Sequence, residues 1–365
     1  MKIKKNLTTV LILFLLVLAT TGCVDLFKSN EQKGTTYVKH PYKIEYTLSY
    51  GYIIKCSGEG TYEINYDCDL PEVLLGAATV EPLNSNSIPI TLSNNSMLRW
   101  NITGEKNNNY KLGIKTNVVS TGFVESDLSG EDALTINQIK NLHPDIYNSY
   151  TQSQSNETKI FIDPDDAQIK STAEYEVYKA ESNNSFIIAK QLFIWLKEKT
   201  YYQIHLGELD VQPACITMTN RNGDCDDLSF LYISLCRAVD IPARFIKGFL
   251  VEKTDNYVQA VPHAWVEVFV GGNMGNKGWI PVECACRSED IEVQINQQFG
   301  RESAGHLRLF TDNGTDNSLI VSLSDIRVKY DISESVDINP MLEIESYEVL
   351  EQKELIVEDN NRYYK

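Results

Sequence analysis

At 365 residues, with 42% hydrophobic and 23% charged side chains, the chain is long enough for two ordinary globular domains. Its formal net charge of −17 argues against nucleic acid as a partner, because phosphate binding needs clustered Lys and Arg. No basic run follows the first few residues.

The N-terminus has the pattern of an export signal: a basic stretch with Lys2, Lys4 and Lys5, an unbroken apolar run over residues 10–18, then small residues. Ala19-Thr20-Thr21-Gly22-Cys23 resembles a lipobox, with Thr20 where an aliphatic residue is usual. That resemblance implies a signal peptide over 1–22, lipidation of Cys23 and a polar tether over 23–36. The alternative is an uncleaved signal anchor, although the apolar run is short for a span of about 20 residues. Both readings put the protein outside the cytoplasm, at the outer face of the cell membrane, with the membrane as a partner through the N-terminal anchor. Asn94, Asn101, Asn156, Asn183 and Asn313 each begin an Asn-x-Ser/Thr sequon, which matters only in a host that glycosylates.

Residues 42–50 and 62–66 alternate apolar and polar side chains, as half-buried strands do. Residues 88–92, 98–102 and 110–114 follow suit, separated by Asn- and Ser-rich turns. Short strands at this spacing predict an antiparallel β-sandwich over 37–125. Its tyrosines read as core and sheet-face residues, and it offers no catalytic cluster. Cys56 and Cys68 fall on neighbouring predicted strands and are candidates for a disulfide, which an exported setting permits.

Residues 126–162 are polar and acidic with weak helical signals, and are expected to be a linker between domains. Asp163-Pro164-Asp165-Asp166 opens a predicted helix to about residue 180. A second helix follows Asn183-Asn184-Ser185, with Ile188, Ala189, Leu192, Phe193 and Leu196 on one face. Strands are expected at 245–251, 264–270 and 279–283, the last two joined by the glycine-rich turn at 271–276. From 331 to 365 the chain reads as an acidic tail, a peripheral strand followed by frayed residues.

The chemistry concentrates at Asn222-Gly223-Asp224-Cys225-Asp226-Asp227. Turn and N-cap residues lead into Leu228, Leu231, Tyr232, Leu235 and Val239, the spacing of a helix with one buried face. Cys225 therefore falls at a helix N-terminus, where the macrodipole favours an anion and can lower a thiol's pKa. Asp226 and Asp227 read as first-turn dipole partners and solvent contacts. A cysteine nucleophile needs a base, usually a histidine oriented by a third polar group. Of five histidines, His263 has the right context, at the start of a predicted strand, while His205 and His306 have none. Glu283 ends the returning strand of the hairpin, opposite or diagonal to His263. It can accept a hydrogen bond from one imidazole nitrogen and leave the other for Cys225.

Gly223-Asp224-Cys225-Asp226-Asp227, Arg237-Ala238-Val239-Asp240-Ile241-Pro242-Ala243-Arg244, His263-Ala264-Trp265-Val266-Glu267-Val268 and Gly278-Trp279-Ile280-Pro281-Val282-Glu283 together resemble the transglutaminase-like superfamily of cysteine enzymes. The resemblance covers about residues 165–290. It implies an α+β chain: the N-terminal sandwich followed by a transglutaminase-like domain over 163–330, with helices packed on an antiparallel sheet. It also implies Cys225 as nucleophile and His263 as general base and acid, with Glu283 where the family usually has aspartate. Trp265 is expected beside the imidazole, Arg244 in a structural ion pair, and the backbone N–H of Cys225 in the oxyanion hole.

Among the other cysteines, Cys236 lies three helical turns after Cys225 and is expected to be buried and inert. Cys215 is a candidate to pair with Cys284 or Cys286. Glu283 and Cys284 should point to opposite faces of their strand. Cys284-x-Cys286 lacks the second ligand pair of a zinc site, and no Asp-x-Asp-x-Asp-Gly calcium loop is present, so no metal or cofactor is expected. The activity implied is thiol-dependent acyl transfer on amide or isopeptide bonds of a protein or peptide, hydrolytic in the first instance. A cross-linking transglutaminase and a catalytically inactive surface module that binds a cell-envelope polymer are the alternatives.

Overall fold

The computed structural model describes residues 34–58, 60–83, 89–92, 97–155, 159–204, 211–285, 290–315, 325–330 and 335–365. The export signal, Cys23, His205 and Cys286 lie outside them. The main strands in chain order are β1 (His40–Ser57), β2 (Thr61–Asp69), β3 (Gly76–Pro82), β4 (Ile90–Leu92), β5 (Met97–Glu105), β6 (Asn109–Thr121), β7 (Ala243–Lys253), β8 (Val258–Phe269), β9 (Trp279–Val282), β10 (His306–Thr311), β11 (Asp325–Lys329) and β12 (Ser335–Lys353). The helices are α1 (Ile136–Leu142), α2 (Pro144–Tyr150), α3 (Ala167–Ala180), α4 (Ser185–Lys199), α5 (Ala214–Asn220), α6 (Cys225–Arg237) and α7 (Ile291–Gln298). α5 and α7 are short, and the sequence pattern gives no sign of either.

Two four-stranded antiparallel sheets, ordered β12-β1-β6-β3 and β11-β2-β5-β4, carry the first apolar core. Alternation along β1 buries Ile44, Tyr46, Leu48 and Tyr50, and they join Ile64, Tyr66, Trp100, Leu112 and Ile114 in one cluster. Gly51 and Gly113 face each other across β1 and β6, both at positive φ. A Cβ on Gly51 would stand 2.1 Å from the Leu112 carbonyl oxygen, so this crossing point requires glycine.

The C-terminus is not a frayed tail. β12 pairs with β1 along its length, from Ser335 opposite Ser57 to Lys353 opposite His40. Val336, Ile344, Tyr347 and Val349 pack against the core while the intervening acidic residues face water, which is why the composition looked like a tail. Two further strands, Leu355–Glu358 and Asn361–Tyr364, form a small sheet with Gly34–Thr36. Buried Arg362 fastens this end by donating to the carbonyls of Glu125, Asn296, Phe299 and Gly300. β11, expected in the second domain, pairs with β2 in the first.

Residues 126–155 are not a free linker either. A Thr135–Gln138 capping box starts α1, and Leu134, Ile139, Ile146 and Tyr150 pack with Phe269 and Trp279 of the hairpin β8–β9. The second core is built on the sheet β9-β8-β7-β10. α6 lies buried in it, with Leu228, Leu231 and Leu235 clustered with Ala264, Val266 and Val268. Burial extends round the helix to Phe230, Ile233 and Cys236, so α6 has no solvent face of the kind its apolar spacing suggested. Phe249, Val251, Ala304 and Leu307 join the first core, which puts the two halves of the chain in direct apolar contact.

The proposed disulfides are not formed: Cys68, Cys215 and Cys284 are thiols. Cys56 sits at the end of β1 next to the connection into β2, and Cys68 near the far end of β2, a run of about 23 Å along the strand at 3.3 Å per residue. Bridgeable Cα atoms lie within about 7 Å. Cys284 is buried in the second core, whereas Cys215 on α5 stands near the carboxylates of Asp163 and Asp166.

Candidate active site

Gly223 precedes α6 because the chain turns tightly there; a Cβ would stand 2.5 Å from that of Asp227. Asp224 caps the helix in a capping box with Asp227. Asp227 also receives the backbone N–H of Gln212 at 2.7 Å and its side-chain amide at 3.0 Å. Asp226 pairs with Lys247 of β7 at 2.6 Å. Both carboxylates are therefore buried structural groups rather than solvent contacts. They fix the first turn of α6, whose first residue is the half-buried Cys225.

His263 lies within β8 rather than at its start, and is buried. The ladder sets Val266 opposite Val282, which makes Glu283, one residue beyond β9, a diagonal neighbour of His263. His263 Nε2 and Glu283 Oε2 are 2.7 Å apart. The Cys225 thiol and the His263 ring act on each other's protonation. With Nε2 engaged by Glu283, Nδ1 is the nitrogen left for sulfur. The three residues singled out in the sequence thus lie in one locality.

Glu283 is held from several sides. Its Oε1 accepts the Ala285 N–H at 2.8 Å, and its backbone N–H donates to Gln298 at 2.9 Å. Lys197 of α4 donates to the carbonyls of Cys284 at 2.8 Å and Ala285 at 2.5 Å, which pins the segment after β9. A second histidine also reaches it: His306 Nε2 stands 3.3 Å from Glu283 Oε2, and its Nδ1 is 2.8 Å from Ser303 Oγ. No local sequence context marks His306 as a site residue. The register brings it in, because Gly248 faces His263 on one side and Arg308 on the other, with His306 opposite Leu250. The signal available in sequence was a second histidine opening an alternating run, His306-Leu307-Arg308-Leu309.

Trp265 packs beside both imidazoles, with ring centroids 5.8 Å from His263 and 4.7 Å from His306. Its indole N–H donates to Glu302 Oε2 at 3.0 Å. Arg308 links Glu302 at 2.5 Å to Glu267 at 2.7 Å, and Glu267 receives Arg244 at 2.5 Å. Arg244 is therefore a structural ion-pair residue, and the buried network beneath Trp265 holds the imidazole floor in place.

Burial alone would lower the His263 pKa, but the charge of Glu283 and the hydrogen bonds to Cys225 and Glu283 outweigh it and hold His263 well above its usual value. Burial alone would raise Glu283; the His263 charge and the two imidazole hydrogen bonds depress it instead. For Cys225 the removal of the thiol from water dominates, opposed by His263 and reinforced by Asp226 and Asp224, and its pKa lies above the ordinary thiol value. The helix N-terminus does not produce the lowered pKa expected from sequence. Cys284 and Cys236 are likewise raised by burial, Cys236 to about 12, and both sit in the core as inert thiols.

Residues 173–284 match the family model described as "Transglutaminase-like superfamily", a superfamily that includes cysteine peptidases and transglutaminases. An uncharacterised protein of Mycobacterium leprae is 29% identical over 87 residues, which is 21% of this chain; the match spans 29% of that relative's length. Among solved structures, a proposed cysteine protease of Cytophaga hutchinsonii is 15% identical with a TM-score of 0.49, over 86% of this chain and 93% of that one. The periplasmic domain of TgpA from Pseudomonas aeruginosa is 14% identical with a TM-score of 0.33, over 70% of this chain and 88% of that one.

Proposed function

With residues 173–284 carrying a transglutaminase-like superfamily domain, we propose that this chain is a thiol-dependent acyl-transfer enzyme acting on amide or isopeptide bonds. The observation that carries the reading is the 2.7 Å pairing of His263 with Glu283 beside the Cys225 thiol, whose protonation the His263 ring affects. Cys225 sulfur attacks the substrate carbonyl carbon as its proton passes to His263 Nδ1. The developing oxyanion lies toward the first turn of α6, where backbone N–H groups have no helical acceptor. The imidazolium, stabilised by Glu283, then gives its proton to the departing amine, leaving a thioester on Cys225. An acceptor activated by the same imidazole cleaves the thioester and restores the thiol.

Water is the acceptor in this proposal, which makes the enzyme a peptidase or amidase; the resemblance to microbial family members favours hydrolysis. The protein acts outside the cytoplasm, held at the outer membrane face through its N-terminus, a reading supported by Lys2, Lys4, Lys5, the apolar run after them and Cys23. The two sheets of the first core read as a β-sandwich module that presents the enzyme to protein or envelope-polymer substrates. Screening the full chain against peptide amides, isopeptides and amine acceptors tests the proposal. Hydrolysis of an amide or isopeptide without added amine is expected. Exclusive incorporation of the amine, or no turnover of any of the three, overturns it.

A further inference from the structure

His263, Glu283 and His306 come from three separate strand segments, yet their ligand-type atoms all lie within 4.8 Å of one another. We propose that these three residues also form a binding site for a single zinc ion, and that an ion bound there holds the catalytic site off. The regulatory half rests on the reading of Cys225 and His263 as the working pair; the binding half does not.

Four observations carry the site. The first is donor spacing. Glu283 Oε2 stands 2.7 Å from His263 Nε2 and 3.3 Å from His306 Nε2. Tetrahedral zinc with bonds of about 2.0–2.1 Å holds its donors about 3.3 Å apart. Of the two separations to Glu283, one fits as it stands and the other needs to open by about 0.6 Å, while the two imidazole donors, within 4.8 Å of each other, close toward the same spacing when an ion binds. The second is the donor set: two imidazoles and one carboxylate with an open position suit zinc, whereas calcium and magnesium take oxygen ligands.

The third is the outer shell. Metal-binding side chains are oriented by hydrogen bonds on their remaining atoms. His306 Nδ1 is fixed by Ser303 Oγ at 2.8 Å and Glu283 Oε1 by the Ala285 N–H at 2.8 Å. Two of the three candidate ligands therefore have an outer partner already in place. The fourth is rigidity and charge. Trp265 packs against both imidazoles, and the carboxylates of Asp224 and Asp226 act on the same locality, with the Lys247 cation bonded to Asp226.

The site differs from a cysteine-based one: neither Cys284 nor Cys225 supplies a ligand. Zinc takes the lone pair of His263 Nε2, and the proton that nitrogen carried leaves to solvent. Glu283 then serves the ion instead of the imidazole. An imidazole bound to a dication is a poor acceptor for the Cys225 proton, so attack on the carbonyl stops until the ion is removed.

Calorimetric titration of the full chain with Zn2+, and of its C225A, E283Q and H306N variants, tests this. Wild type and C225A should each bind one ion with similar affinity, and E283Q and H306N should bind at least tenfold more weakly. Loss of binding in C225A, unchanged affinity in both E283Q and H306N, or no saturable binding by wild type overturns the proposal. Because C225A has no nucleophile, binding is read independently of turnover. Cobalt(II) loading of wild type decides the case even if a variant fails to fold. The expected spectrum has tetrahedral d–d bands without a sulfur-to-cobalt charge-transfer band; a charge-transfer band would place a thiolate on the metal and contradict the site.

Discussion

His263 Nε2 stands 2.7 Å from Glu283 Oε2, although the ladder makes the two residues diagonal rather than opposite partners. The extra methylene of glutamate spans the diagonal. Ala285 and His306 then hold the carboxylate where its charge acts on the imidazole. In the proposed mechanism this glutamate does the orienting for which the resemblance leads one to expect aspartate.

This relationship sets a pH dependence. Cys225 and His263 both hold their protons more tightly than free side chains do, so the resting pair must shed one proton before attack. kcat/KM should rise with pH, with its acid-side inflection above the usual histidine value of about 6.5. In Glu283→Gln the charge that raises His263 is gone. The inflection should move down while the plateau falls by about 10²–10⁴-fold, the range for acid–base assistance. A profile whose inflection stays put or moves up in this variant would contradict the assignment.

In the proposed mechanism His306, 3.3 Å from Glu283 Oε2, acts through Glu283 as a positioning residue. His306→Ala should lower kcat about tenfold, within the effect of losing an outer-shell partner, with KM little changed. His306→Gln, which keeps a side-chain N–H donor, should recover most of the loss. A rise in KM with kcat intact would assign His306 to substrate binding instead.

The path from sequence to site was uneven for physical reasons. Cys225, His263 and Glu283 were legible because each sits on a local pattern: a capped helix start, and the two strands of a hairpin whose register is short-range. His306 was not, because it depends on β10 pairing with β7 and on the bulge near Gly248, a long-range register with no local mark. The same reason hid β12: alternate acidic residues on an edge strand look like a solvated tail until the partner strand is known. The raised thiol was hidden too, since burial around α6 overrides the helix dipole that the local sequence announces. The helix α3 carried a clear start signal, α4 and α6 carried caps and apolar periodicity, and all three appeared close to where expected.

Beneath the site, Arg308 joins Glu267 and Glu302 with almost no exposure of any of the three. Arg308→Ala leaves buried Glu302 without its cation and Glu267 with Arg244 alone, and removing one partner of a buried pair costs about 3–5 kcal/mol. Denaturant unfolding should show that loss, whereas a change below about 1 kcal/mol would mean that water enters and solvates the network.

The thiol state is open to direct chemical assay. Alkylation of the denatured, unreduced chain followed by peptide mapping should label Cys68, Cys215 and Cys284. Protection of Cys68 or Cys215 until reductant is added would restore the disulfides that the sequence alone suggested.

The central claim is that Cys225 is the nucleophile. The most direct test is turnover of an amide substrate, identified with the wild-type chain, by Cys225→Ala under the same conditions. The proposal predicts that turnover is abolished while the fold, read by far-UV circular dichroism, is kept. Amide turnover retained in Cys225→Ala at a substantial fraction of the wild-type rate would contradict it.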